Sequence, residues 1–225
     1  TSVGLIARLK KSGFNNIFVY DPVVKSDSIG HLGVKYADNI KQAFSGADAV
    51  VVMNNNSVFD IGCGRAFNSI TLAKRNFHVT CIDISSFTIG VLQEFARKTN
   101  LPLCAKRADI VEEGITGDYA IIICAFVLHH LTHKQGAALI ETMRAHIVPG
   151  GVNLVTVHTT NGHFFQSGVA DENYYPRPWY ILELYRDWKI LYYEEQIADA
   201  GTFFDDGSPM QNQNSYLLAQ KPAAP

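Results

Sequence analysis

The sequence predicts an α/β protein: a mostly parallel sheet with helices on both faces. Two observations lead there. Val58-Phe59-Asp60-Ile61 is a short apolar run that Gly62 and Gly64 break in a tight turn; the helical stretch Ser69–Arg75 and a second run, His78–Ile82, ending on Asp83, come next. That is a β-turn-α-β unit, in which glycines let the backbone bend sharply and approach a ligand. After it, apolar runs of strand length alternate with stretches of helical spacing as far as Val157, the pattern of strands and helices feeding one sheet.

Taken in order, Val3, Leu5, Ile6 and Leu9 predict a helix over Thr1–Lys11, closed by Ser12-Gly13. Asn16–Tyr20 reads as a strand ended by Asp21-Pro22, Tyr36–Ser45 as a short helix stopped by Gly46, and Ala49–Met53 as a buried strand before the polar connector Asn54–Asn56. Beyond the glycine turn, Phe87, Ile89, Val91, Leu92 and Phe95 give one apolar face to a helix over Ser86–Lys98, with Ser85 or Ser86 as its cap. Leu101–Ala108 holds the next strand, ending at Asp109-Ile110, and Asp118–Cys124 the one after. Lys134–Ile147 is helical, and Pro149-Gly150-Gly151 turns the chain into the strand Val152–Val157. His158–Tyr180 is irregular but rich in aromatic residues, and it is read as a substrate-facing lid on the edge where open α/β sheets bind ligands. Ile181–Arg186 is a short helix; Trp188–Glu194 and Gln213–Gln220 are the last two strands.

Of 225 residues, 47% are hydrophobic and 18% charged, which describes a globular core-builder rather than a disordered chain. A net charge of −2 implies no basic face, so nucleic acid is not an expected partner; a small-molecule substrate is. The longest apolar run, around Tyr119–Leu128, is too short to span a membrane. No stretch reads as a secretory signal, and with Thr1 at its head the sequence is expected to start inside a longer gene product or a processed chain. Cys63, Cys81, Cys104 and Cys124 are widely spaced with no C-x-x-C pair, which speaks against zinc and for buried reduced thiols in a cytoplasmic protein. Cys63 and Cys124 are placed beside the ligand cleft. His129, His130 and His133 cluster without the Glu of an H-E-x-x-H motif, so no metal site is predicted; His129 is the one expected to face the cleft.

A dinucleotide fingerprint would need a third glycine where Phe67 stands, and Asp60, two residues ahead of the first glycine, is unusual for such sites. The pattern hydrophobic-Asp60-x-Gly62-x-Gly64, with Asp83 at the tip of the next strand, resembles motif I of the class I S-adenosylmethionine (SAM) methyltransferases. The resemblance implies a Rossmann-like, mostly parallel sheet closed by an antiparallel end pair, and SAM as cofactor. It places Asp60, Gly62, Cys63, Gly64 and Asn68 around the methionine part of SAM, and Asp83 on the ribose hydroxyls with Ile84 beside it. Asp109 would meet the adenine amino group, with Ile110 on the ring, and Cys124 and Ala125 would stand near the sulfonium. The chemistry suits these roles: a carboxylate accepts from hydroxyls or an exocyclic amine, and an apolar side chain covers a π face.

More narrowly, "DIGCGRAFNSITLA", "VTCIDIS", "PGGVNLV" and "ELYRDWKILYYEE" are similar to the tellurite-resistance methyltransferases; Asn68-Ser69 match that family's Arg-x-Asn-Ser extension, and Ala66 stands where it has glycine. This implies substrate-side arginines, for which Arg177 and Arg186 are the candidates, and an acceptor such as a tellurium or selenium oxyanion or a thiol. Such soft anions need no general base; an amine or hydroxyl would, and His129 or His130 is the candidate. The first 53 residues, with "FVYDP" and "GADAVVVM", resemble part of the C-terminal domain of the UDP-glucose/GDP-mannose dehydrogenases. The chain is therefore expected to divide into a partial dehydrogenase-like segment, 1–56, that adds to or packs on the sheet of the rest, and a methyltransferase domain, 57–225. The competing functions are an NAD(P)-linked oxidoreductase fragment and a non-catalytic protein of the SAM fold.

Overall fold

Side chains that alternate between the two faces of a buried sheet organise this protein. The computed structural model describes residues 6, 9–13, 16–19, 33–37, 42, 56–168 and 172–223, and the chain divides into two units, Thr1–Asn54 and Asn55–Pro225. In the larger unit the strands are β3 (Ser57–Ile61), β4 (His78–Asp83), β5 (Leu103–Arg107), β6 (Tyr119–Ala125), β7 (Ile147–His158), β8 (Lys189–Phe203) and β9 (Pro209–Gln220). They form one seven-stranded sheet in the order β5-β4-β3-β6-β7-β9-β8. The first five in that order are parallel, and β9 runs antiparallel to both β7 and β8. This is the predicted Rossmann-like architecture, end pair included.

The helices are α1 (Phe67–Ala73), α2 (Ser86–Thr99), α3 (Ile110–Glu113), α4 (His133–Ala145), α5 (His163–Gln166) and α6 (Tyr180–Leu184). On one face Val58, Val79, Cys81 and Ile123 pack with Ala73 of α1 and with Ile89 and Leu92 of α2. On the other, Phe59, Ile61, Ile122, Val155 and Leu217 pack with Leu139, Ile140 and Met143 of α4 and with Ile181 of α6. Neighbours such as Val58 and Phe59 thus serve opposite faces, so the central strands read as unbroken apolar runs. Local chemistry sets the helix starts. Ser85 Oγ accepts from Thr88 N at 3.2 Å. Thr132 and Gln135 close a capping box, with Gln135 Oε1 accepting from Thr132 N at 3.0 Å.

Several features of the larger unit depart from the sequence expectations. Pro149-Gly150-Gly151 does not precede strand five; β7 already begins at Ile147, paired with Tyr119, and the register shifts before Val152 pairs with Ile121. Gly150 (φ 79°) and Gly151, whose Cβ would sit 2.8 Å from Ala120 O, make that irregularity possible. The end hairpin is longer than predicted, because polar residues continue its pairing to Phe203↔Pro209, beyond the apolar alternation that marks a strand. Among the cysteines only Cys81 and Cys124 are buried; Cys104 is exposed on the edge strand β5 and Cys63 is half-buried in the glycine turn.

In the smaller unit, β1 (Phe18–Val19) and β2 (Lys35–Tyr36) pair in parallel in a sheet of their own. Ile6 and Leu9–Lys11 are helical, and Gly13 (φ 91°) follows with its N–H donating to Lys10 O at 3.0 Å, the predicted closure. Tyr36 lies in a strand rather than opening a helix, although Gln42 is helical. The predicted strand Ala49–Met53 lies outside the described residues.

Candidate active site

The parallel strands end along one edge of the sheet, and the site is built there. At the end of β3 the chain turns through Gly62 (φ 61°) and Gly64 (φ 47°), both in the left-handed region that favours glycine. The two glycines do different jobs. A Cβ on Gly62 would lie 2.4 Å from Val127 Cγ2, so the exit of β6 packs directly on the turn; a Cβ on Gly64 would meet nothing within 4 Å, so its backbone faces open space. Ala66, also left-handed at φ 53°, leads into α1, which is why glycine suits this position.

Two carboxylates brace the turn from different sides. Asp60 is buried at the end of β3, where Ser69 Oγ of α1 donates to it at 2.6 Å. Burial raises its pKa to about 6, against the lowering effect of Ser69. Asp83, at the tip of β4, accepts from Gly64 N and Ser85 N, both at 2.9 Å, one on each oxygen. A carboxylate has further lone pairs, so Asp83 keeps acceptor capacity for a ligand's hydroxyls. Ile84, next to it, is 69% exposed, and with Phe67 and Phe87 it leaves large apolar side chains open beside the turn. Asp109 Oδ1 accepts from Val111 N at 2.9 Å and caps α3, while Ile110 is buried.

The ends of β6 and β7 carry a cluster of rings. Phe126 follows β6 in the left-handed region (φ 57°), a strained conformation of the kind that persists at functional sites. Its ring lies 5.1 Å from that of His158, the last residue of β7. His129, on the 3-10 turn Leu128–His130, lies 4.4 Å from His158 and 4.1 Å from His130, ring to ring. Tyr175 stands 6.0 Å from His129, and Phe164 meets His158 edge-on at 5.5 Å. His158 Nδ1 lies 2.6 Å from Asn214 Oδ1, whereas His129 Nδ1 is buried without a hydrogen-bond partner. The described parts of the aromatic segment after β7 are tied down: Tyr174 N donates to Leu131 O at 2.8 Å and Asn173 Nδ2 to His129 O at 2.9 Å.

The family model for tellurite resistance protein TehB matches residues 33–213, well over half of the chain. The chain belongs to the TehB family. The probable S-adenosyl-L-methionine-dependent methyltransferase TehB of Haemophilus influenzae (strain KW20 / Rd) is 26% identical over 179 residues, covering 77% of this chain and 60% of its own length. Hemagglutinin 1 of Eikenella corrodens is also 26% identical, over 78% of this chain and 58% of its own. The chain thus spans about 60% of the length of these curated relatives. The crystal structure of TehB from Haemophilus influenzae superposes with a TM-score of 0.64 at 25% identity, covering 73% of this chain and 57% of that one. The TehB match begins at residue 33, inside the segment 1–53 expected to be dehydrogenase-like, and none of these matches is to a dehydrogenase.

Within this TehB-family chain the structure gathers Gly62, Cys63, Gly64, Asn68, Asp83 and Ile84 at the turn, with Asp60 beneath it. Other residues are placed differently. Cys124 is fully buried among core side chains and does not reach the cleft; burial pushes its thiol up to about 12, so it stays protonated. Ala125, one residue on, is half-buried at the strand end. Arg177 is exposed and engaged by Glu183 at 2.6 Å, its guanidinium 5.3 Å from the Tyr180 ring, and Arg186 is exposed just past α6. His129 lies on the 3-10 turn and His133 opens α4, so the two do not share one helix. His130 is exposed, and among the described residues no group of three His, Cys, Asp or Glu could hold a metal. Sequence reasoning missed Val127, His158 and Asn214. The visible signal was position: His158 directly ends the apolar strand Val152–Val157 on the ligand edge.

Burial weighs against His129 as a general base. Burial, followed by the neighbouring His158 and His130, lowers its pKa from 6.5 to about 3, so it stays neutral and takes a proton poorly. Between those values the unfolded chain binds a proton that the folded chain refuses, so stability falls as pH drops below 6.5. At pH 5 this costs roughly 2 kcal/mol. His129→Phe is therefore expected to lose less melting temperature than the unmodified chain between pH 7 and pH 5, by about 4–8 °C. An equal loss in the two proteins would contradict this assignment.

Proposed function

We propose that this chain is a SAM-dependent methyltransferase acting on a small molecule. The observation that carries the reading is the open backbone at Gly64 held against Asp83, the acid at the tip of the second strand of the β-turn-α-β unit. Bound there, SAM would supply a methyl group already activated on its sulfonium. The chain's own residues then have to bind and orient. Asp83 would take the ribose hydroxyls on its remaining lone pairs, Ile84 would cover the adenine, and the Gly62–Gly64 backbone would pass the methionine part. Asp109 retains one oxygen for the adenine amino group. Asp60, buried and bonded to Ser69, acts through the turn and α1 rather than on the ligand.

The TehB relationship supports a methyltransferase, and the family's name brings a tellurium oxyanion as an acceptor to try; selenium oxyanions and thiols are nucleophiles of the same soft class. The test is formation of S-adenosylhomocysteine (SAH) from SAM with tellurite, selenite, a thiol, a phenol and a small amine as acceptors. Acceptor-dependent SAH formation is expected. A chain that neither binds SAH nor forms it would remove the proposal.

A further inference from the structure

We propose that Cys63 and Cys81 form a redox-modifiable pair, which a hydroperoxide joins into a disulfide that shuts the cofactor site. The inference rests on the methyltransferase reading and adds a means of regulation to that same site.

The first support is position. Cys63 stands between the two glycines of the turn, and Cys81 lies on β4 two residues before Asp83. Cys81 is opposite Asp60 in the ladder of β3 and β4, and Cys63 N donates to Ile82 O at 3.0 Å, so the pairing of the two segments runs on into the turn. Both side chains pack in the apolar cluster on the α1 and α2 face of the sheet, where the two thiols interact directly with each other. Cys124 packs on the opposite face, and Cys104 is exposed on the edge strand β5. All four cysteines are free, and only Cys63 and Cys81 are set against each other.

The second is the division of labour between the sulfurs. Cys63 is half-buried in the turn and Cys81 is wholly buried, so an oxidant from solution reaches Cys63. The contact between them raises the pKa of Cys63 and lowers that of Cys81, so when the pair loses one proton the charge settles on Cys81. Cys81 can then take the Cys63 proton as the Cys63 sulfur attacks the peroxide. The new S–O bond forms, the O–O bond breaks, and the departing oxygen leaves as water or an alcohol after taking up a proton. Cys81 next gives up its proton, its sulfur attacks the sulfenic sulfur of Cys63, and the hydroxyl leaves as water. In sum two thiols and one hydroperoxide give one disulfide, water, and a second water or an alcohol.

The third is the consequence for the turn. A disulfide holds its Cβ atoms about 3.8 Å apart, closer than two thiols in contact require. The turn has little slack to supply that movement. Gly62 packs directly on Val127, and Gly64 N is held by Asp83 at 2.9 Å. Drawing Cys63 toward β4 therefore moves the Gly64 backbone, the part that faces the ligand.

The test uses hydrogen peroxide on the unmodified chain, Cys81→Ala and Cys104→Ala. Mass spectrometry of tryptic digests should show a dithiothreitol-reversible link between the peptides of Cys63 and Cys81, which trypsin separates at Lys74 and Arg75. The linked chain should bind SAH about 10-fold more weakly or worse, and dithiothreitol should restore the affinity. Because such coupling is reciprocal, saturating SAH should shift the thiol–disulfide equilibrium toward the dithiol by the same factor. Cys81→Ala should bind SAH like the reduced chain and keep that affinity after peroxide, whereas Cys104→Ala should respond as the unmodified chain does. Absence of the linked peptide, an unchanged SAH affinity in the linked chain, or equal inhibition of Cys81→Ala overturns the proposal, and SAH binding by the reduced chain then leaves the SAM reading intact. No SAH binding by the reduced chain overturns both.

Discussion

Asp83→Ala should weaken SAH binding by roughly 10²-fold or more, which is about 3 kcal/mol, the scale of one or two charge-assisted hydrogen bonds. The loss has two sources. The ribose would lose its acceptor, and Gly64 N and Ser85 N would lose the oxygens that now bond them at 2.9 Å, so the turn itself would relax. Asp83→Asn is expected to be nearly as damaging, because its amide nitrogen would set N–H against N–H at one of those two positions. Calorimetric titration of the three proteins with SAH checks this. Equal affinities would mean that the ligand lies elsewhere.

Gly62→Ala should cost about 2–5 kcal/mol of unfolding free energy. Alanine at φ 61° brings roughly 1–2 kcal/mol of backbone strain, and its methyl would press into Val127 Cγ2 at 2.4 Å, an overpacking cost of about 1–3 kcal/mol. The double change Gly62→Ala/Val127→Ala should recover part of this, since it removes the clash and keeps the strain. Gly64→Ala makes the informative contrast. It carries strain at φ 47° but no clash, so its effect on denaturant midpoints should be smaller while its methyl enters the open side of the turn and depresses SAH binding. Equal destabilisation by the two alanines would contradict the separate roles given to these glycines.

Much of this arrangement could be read before the structure, for physical reasons that differ between residues. Val58–Ile61, Gly62, Gly64 and Asp83 were legible because strand burial, left-handed backbone and a strand-tip acid each restrict residue type locally. The inner role of Asp60 was not, since its partner Ser69 is set by how α1 docks on β3. Val127 was invisible for a similar reason: its contact with Gly62 joins segments about 65 residues apart in sequence, and only sheet registry brings them together. His158 is marked in the sequence only by its place at the end of the fifth strand of the sheet, whereas the His129-His130 pair is the denser signal although burial keeps His129 neutral. The long end hairpin escaped because exposed pairing needs no apolar alternation. The sequence offers Arg177 to an anion, and the fold gives it to Glu183 instead.

A SAM site formed by the Gly62–Gly64 turn and Asp83 is separated from a dinucleotide site by parallel calorimetric titrations of the unmodified chain with SAH and with NAD. Saturable, one-to-one binding of SAH and none of NAD is expected, as Phe67 in place of a third glycine implies. Saturable binding of NAD, with no heat from SAH, would contradict it.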